Sequence, residues 1–159
     1  MKEKLTIRIK YHDPDMERIK AAHVSEWYDL RAAEDAFIPQ GVQKTVSLGV
    51  SMELPEGYEA IIAPRSSTPK NFGVIMPNSL GIIDHAYKGD NDIWRCICYG
   101  ISEKDTAVID GIGVRGSWIH KGDRICQFRI QKVQPEIEFE EVEELGNADR
   151  KGLGSTGKR

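Results

Sequence analysis

The chain of 159 residues has only three cysteines, Cys96, Cys98 and Cys126. An odd count, with two of them only two positions apart, is a poor disulfide framework and fits a reducing compartment. Long apolar runs are lacking as well. Residues 1–10, MKEKLTIRIK, alternate charged with apolar side chains and hold no 7–15-residue apolar core, which excludes a signal peptide. No run approaches the ~20 residues of a membrane span. A cytoplasmic protein without a membrane partner is expected. A basic excess is also missing: the net charge is −3 and the pI about 5.8, which argues against nucleic acid as a partner. A compact polyanion such as a nucleotide needs only a local cluster of donors and stays open. Zinc-ligand spacing is absent, since Cys96-x-Cys98 is too close and no histidine lies nearby. His12, His23, His85 and His120 are scattered and read as solvated or structural.

What is present has a period of two. Leu5, Ile7 and Ile9 alternate with polar residues, as do Val46, Leu48 and Val50. Ile125, Phe128 and Ile130 form another run, and Ile137, Phe139 and Val142 a last one. Turn signals separate them, at Pro39-Gln40-Gly41, Pro55-Glu56-Gly57, Lys88-Gly89-Asp90-Asn91 and Lys121-Gly122-Asp123. Short strands punctuated in this way predict an all-β sandwich, jelly roll or small barrel. One short helix is expected, with Thr68 as its cap, Pro69 at its first position and Gly73 as its stop. A single domain over 1–145 is expected, followed by a flexible C-terminal arm over 146–159 that is too poor in apolar residues to fold alone.

Generic nucleotide fingerprints occur and fail on context. Gly152 to Lys158 matches G-x-x-x-x-G-K, but Arg159 follows in place of Ser/Thr; G-x-G-x-x-G occurs at Gly111–Gly116 and Gly152–Gly157 with no βαβ unit around either. The arm still carries glycines, two hydroxyls and four cations, a composition able to order around a triphosphate through backbone N–H groups, whereas its bland reading is a polar tail. Arg65 and Ser66 precede the helix start, where anions are favoured. Gly81 permits close approach of a ligand to the backbone. Asp84 and Tyr87 lie three apart on an expected hairpin, where an Asp can activate water and a flat Tyr can pack on a sugar. Gln127 is the polar outlier of a buried strand. Each of these has an ordinary structural reading when taken singly.

Together they resemble, in order, the five motifs of the trimeric dUTPase family, and most closely its Gram-positive bacterial and phage members. The segments are Tyr28-Asp29-Leu30-Arg31-Ala32, Pro64-Arg65-Ser66-Ser67, Gly81 to Gly89, Gly122 to Gln127 and Gly152 to Gly157, spanning roughly residues 24–157. The resemblance implies a distorted β-barrel or jelly roll working as a homotrimer with shared active sites. It implies hydrolysis of dUTP to dUMP and pyrophosphate with Mg²⁺, limiting uracil in DNA and supplying dUMP for dTMP synthesis. Asp84 corresponds to the residue that activates the attacking water. Tyr87 would pack on the deoxyribose and exclude a 2′-hydroxyl. Asn78 and the backbone from Gly81 to Ile83 would read the uracil edge. Arg65, Ser66, Ser67 and Gln127 would hold phosphates, and Asp29 would reach Mg²⁺ through water. Arg150, Leu153, Gly154, Ser155 and Thr156 would close the arm over a neighbouring protomer's site.

The sequence departs from the family pattern at Ser67, which stands for the usual Gly, and at Leu153, which stands where many relatives carry a Phe that stacks on uracil. Trp94 is then the candidate to cover the base, with Arg95 as the alternative. Residues Ser102–Ser117 read as an insertion. Two rivals remain. A dCTP deaminase on a related fold needs a pocket Glu that the third motif lacks. A regulatory module, if the chain is phage-encoded, would bind a protein partner through the insertion.

Overall fold

The computed structural model describes residues 4–20 and 25–149. Among the described residues twelve strands and one helix follow one another: β1 (Arg8–Tyr11), β2 (Tyr28–Arg31), β3 (Ala36–Pro39), β4 (Gln43–Ser47), β5 (Val50–Glu53), β6 (Tyr58–Pro64), α1 (Thr68–Phe72), β7 (Val74–Ile75), β8 (Gly81–Ile83), β9 (Arg95–Gly100), β10 (Asp105–Ile109), β11 (Ile112–Ile119) and β12 (Arg124–Lys132). They form four small sheets, in the orders β1-β5, β10-β11-β3, β2-β12-β6-β8 and β4-β9-β7. The architecture is the expected all-β one, of jelly-roll type, and among the described residues no sheet closes into a barrel. Every paired strand is antiparallel, so the period-two pattern sends one set of side chains inward. Leu30, Ile38, Val46, Leu54, Ile62 and Ile125 are among those that meet in one core, each contributing about 1.5–3 kcal/mol by leaving water.

Several local expectations change in the structure. The run Val46–Val50 is split, because Gly49 turns at φ +66° between β4 and β5. The helix is capped at Ser67 rather than Thr68, with no side-chain cap bond, and Gly73 ends it in the left-handed region at φ +60°. The insertion is a hairpin, β10 and β11, closed by Asp110 at φ +50° and Gly111 at φ +79°. Two successive positive φ angles are what a two-residue Asp-Gly turn requires. Gly116 lies in β11 so close to β3 that a Cβ there would sit 2.3 Å from the Ile38 carbonyl oxygen. The G-x-G-x-x-G match at Gly111–Gly116 is therefore turn and packing. The run Ile137–Val142 forms no strand: Val133–Asp149 has no regular structure, and Phe139 is 90% exposed. A strand needs a neighbour for its backbone groups, and this single chain supplies none there.

Candidate functional site

The order β2-β12-β6-β8 places four of the five motif segments side by side. Asp29 on β2 is opposite Gln127 on β12, and Gln127 is opposite Ala63 on β6, one residue before the Pro64–Ser67 turn. Gly81 on β8 is opposite Ile62. Side chains opposite one another share a face of the sheet, so Asp29 and Gln127 point the same way while Phe128 and Ile62 point into the core.

Charge and hydrogen bonding tie this row together. Arg65 Nε lies 2.8 Å from Asp29 Oδ1, and Arg124 Nη1 lies 3.1 Å from Asp29 Oδ2. A second Arg65 nitrogen donates to the Arg124 carbonyl at 3.2 Å, and Gln127 Nε2 donates to the Pro64 carbonyl at 3.0 Å. Beneath them Thr68 is fully buried; its hydroxyl accepts from Arg65 N–H and donates to the Ile125 carbonyl, each at 2.9 Å. The phosphate-loop candidate is thus riveted to the fourth motif from below, leaving Ser66 exposed and Ser67 half-buried at its tip. Arg124 is the member of this row that the sequence left without a role; its signal was a cation inside the fourth motif, facing an acid in the first. Beside Asp29 a cleft of about 220 Å³ is bordered by Arg18, Lys20, Arg31 and Arg124.

The third motif is arranged differently from the expected hairpin. β8 pairs with β6, and Asp84 opens a loop that runs to β9. Asp84 Oδ1 accepts the N–H groups of Ala86 and Tyr87 at 2.8 and 3.2 Å. These two bonds orient the carboxylate and leave Oδ2 toward solvent on an exposed residue. Tyr87, 38% exposed, donates its hydroxyl to the Ile93 carbonyl at 3.3 Å. Asn78 Nδ2 donates to the Leu80 carbonyl at 3.0 Å, shaping the entry to β8. Ile83 is half-buried there.

Within one chain Asp84 does not reach Arg65. Ile83, the residue before Asp84, is opposite Ala60, and Ala60 is five residues from Arg65, roughly 16 Å along the strand. Asp29, Arg65, Arg124 and Gln127 are brought together; Gly81 lies opposite Ile62, two residues before Pro64, while Asp84 stands beyond the other end of β8. Trp94 is corrected as the lid. It is fully buried, edge-on to Phe128 with ring centroids 5.3 Å apart. A bulky indole in a strand-entry position gains most by filling the core. Arg95, next to it, is exposed. Arg150, Leu153, Gly154, Ser155 and Thr156 lie outside the described residues.

Among the described residues no group of three or more His, Cys, Asp or Glu side chains converges to hold a metal. Asp29 alone in the row offers carboxylate oxygens, both already facing guanidinium groups. Each keeps a lone pair, which fits an outer contact through water rather than a protein-built cage. Among the described residues no helix is long and apolar enough to cross a membrane.

The dUTPase family model matches residues 19–102. The chain is 52% identical over 153 residues to the SPbeta prophage-derived deoxyuridine 5′-triphosphate nucleotidohydrolase YosS of Bacillus subtilis (strain 168), covering 96% of this chain and 99% of that protein. Its fold is similar to that of a Staphylococcus bacteriophage 80alpha dUTPase with dUPNHPP, in a study of phage dUTPases that control transfer of virulence genes by a G protein-like mechanism. That likeness has TM-score 0.74 at 22% identity, over 97% of this chain and 99% of the other. It is also similar to a mutant dUTPase of S. aureus phage phi11, described for its coordination of a structural Mg(II) ion, with TM-score 0.69 at 20% identity, over 89% and 99% of the two chains. From the family match and the 52% identity along nearly its whole length, the chain belongs to the dUTPase family.

Proposed function

We propose that the protein hydrolyses dUTP to dUMP and pyrophosphate by in-line attack of water on the α-phosphorus. The observation that carries this reading is the single sheet β2-β12-β6-β8, which aligns the acidic, guanidinium and amide side chains of three motifs and carries the third motif on its edge strand. The Asp84 carboxylate, fixed at Oδ1 by two N–H groups, has Oδ2 free to accept a proton from water and orient it. Such positioned proton transfer contributes typically 10²–10⁴-fold. Arg65, Ser66, Ser67 and Gln127 bind the phosphates, and positive charge near the leaving pyrophosphate stabilises the transition state. The Tyr87 ring packs on the deoxyribose and excludes a 2′-hydroxyl. Asn78 and the backbone of Gly81 and Ile83 read the uracil edge, so a mismatched base leaves buried partners unpaired. With Trp94 in the core, Arg95 is left as the residue that covers the base.

Mg²⁺ held chiefly by the triphosphate, with Asp29 touching its water shell, fits the residues present and would neutralise phosphate charge when bound. The working unit is a homotrimer in which one copy's Asp84 faces another copy's Arg65. The distance between Asp84 and Arg65 within one chain supports this. So do the exposed Phe139 segment and an apolar groove near Ile7, Ile9 and Phe128, surfaces that further copies can cover. The arm, with Arg150, Leu153, Gly154, Ser155 and Thr156, closes over the triphosphate of a neighbouring copy. Three buried free thiols suit the reducing cytoplasm. The β10–β11 hairpin, with Val108 76% and Ile112 67% exposed at its tip, is in addition the candidate contact for a regulatory protein partner; deleting it and repeating a pull-down tests that role.

The experiment for the main reading is pyrophosphate release with dUTP, dCTP, dTTP and UTP, with Mg²⁺ and then EDTA, on wild type and Asp84→Asn. Metal-dependent turnover confined to dUTP and abolished in Asp84→Asn is expected. No turnover of dUTP by folded protein would sink the reading, and ammonia released from dCTP would replace it with a deaminase.

A further inference from the structure

The loop from Asp84 to Ile93 has strong bonds of its own. Besides those to Asp84 Oδ1, Gly89 N–H donates to Asp92 Oδ2 at 2.7 Å, Asp92 N–H donates to the Gly89 carbonyl at 3.0 Å, and the Tyr87 hydroxyl donates to the Ile93 carbonyl at 3.3 Å. These make the loop a unit, whose ends are held by β8 on β6 and by buried Trp94, its main-chain N–H donating to the Val50 carbonyl at 2.8 Å. Between those ends its middle is linked at Asp90 to the two-stranded sheet β1-β5. Ser51 on β5, 4% exposed, is a buried hydroxyl between the core residues Val50 and Met52. Its Oγ lies 2.8 Å from His12 Nε2 and 3.5 Å from the Asp90 carbonyl. Lys10, opposite Ser51 across the sheet, adds an ion pair to the Asp90 side chain at 3.7 Å. His12 is itself held by its N–H bond to the Gly49 carbonyl at 2.9 Å.

With Ser51 donating to the Asp90 carbonyl, the donor arithmetic gives the direction of this chain. A serine hydroxyl has one proton to give. For the Asp90 carbonyl to receive it, Ser51 Oγ must accept from His12, so Nε2 carries hydrogen and the order is Nε2–H to Oγ–H to O=C. The imidazolium and the Nε2–H neutral tautomer both satisfy that order.

We propose that His12, acting through Ser51, is a positioning residue for the Asp84–Ile93 loop, and that it serves sugar discrimination by setting where the Tyr87 ring lies. The inference rests on the reading of Tyr87 as the residue that excludes a 2′-hydroxyl. A ring mounted on a self-tied loop moves with that loop, and discrimination by steric exclusion is lost when the wall can retreat by a fraction of an ångström.

The test uses the full chain, with kcat and KM for dUTP and for UTP measured on wild type, His12→Ala, Ser51→Ala, the double variant and His12→Gln. The preference for dUTP over UTP in kcat/KM should fall roughly two- to tenfold in each alanine variant, the range expected for losing one net hydrogen bond. The double variant should lose no more than either single one. The glutamine, whose side-chain amide can still donate, should recover most of the preference. A purely structural role would lower melting temperature and leave the dUTP:UTP ratio alone, and that result would overturn the proposal. Amide hydrogen exchange over Tyr87–Asp92 is a readout independent of catalysis. Faster exchange in the alanine variants supports the anchor, and unchanged exchange overturns it, even if the wild type proves inactive on dUTP and the parent reading fails.

Discussion

Replacing Thr68 by valine keeps the shape of a fully buried side chain and removes only its hydroxyl. That hydroxyl serves two main-chain groups, Arg65 N–H and the Ile125 carbonyl, at 2.9 Å each. Without it the valine can satisfy neither, and an unsatisfied buried polar group costs about 1–3 kcal/mol. Allowing for some relaxation, Thr68→Val should destabilise the fold by roughly 2–4 kcal/mol. For a chain of this size 1 kcal/mol shifts Tm by about 2–4 °C, so a fall of roughly 5–12 °C is expected. Thr68→Ser is the control: it keeps both bonds and loses a methyl, costing about 1 kcal/mol. Differential scanning calorimetry of all three proteins at one fixed subunit concentration makes the comparison, because association contributes to apparent stability. If the valine variant melts at or above the serine variant, the hydroxyl is not the rivet between the second and fourth motifs, and that part of the reasoning is wrong.

Cys96, Cys98 and Cys126 are buried, and the contact between Cys96 and Cys98, Sγ atoms 3.6 Å apart, helps push the Cys98 thiol above its ordinary value. A hydrogen bond with Cys126, followed by burial, raises Cys96 likewise. Thiolate is the reactive form, so a chromogenic disulfide reagent should modify none of the three in native protein and all three in denaturant; rapid native labelling would contradict the packing. On the surface, Asp13 pairs with Lys121, whose hydrogen bond holds the Asp13 carboxyl below its ordinary 3.8 while raising the ammonium above its ordinary 10.5. A lowered acid stabilises the fold above its unfolded value and stops doing so as pH falls through the lowered one; the raised lysine does so in full below 10.5 and stops as pH rises through its raised value. Wild type should therefore melt above Asp13→Asn at neutral pH, with the gap closing as pH drops below about 3.8; a gap unchanged in acid would remove the pair as its cause.

Period-two patterning and turn residues depend on neighbours in sequence, and these made the all-β class legible. Gly41, Gly57 and Gly122 stand at left-handed turns where the sequence places breaks, and the run from Ile125 to Ile130 is a strand. The chemistry of the motifs was legible too, since an acid, a cation, a hydroxyl pair and a tyrosine carry their functional groups wherever they sit. What the sequence could not contain was direction and distance. Trp94 has the chemistry of a base-stacking lid, yet burial of its large ring against Phe128 decided its place. Thr68 has the signature of a helix cap, yet the carbonyl of Ile125, 57 residues away, took its hydroxyl. The apolar alternation of Ile137 to Val142 asks for a strand, but hydrogen-bonding partners are a property of the assembled fold, and this chain alone leaves Phe139 in water. Asp29 and Gln127 became neighbours only through sheet order, while Asp84 and Arg65, both legible as site residues, were set apart by it. Local sequence determined which groups the protein carries; pairing across the sheet, which depends on contacts far apart in the chain, decided which of them can act on the same molecule.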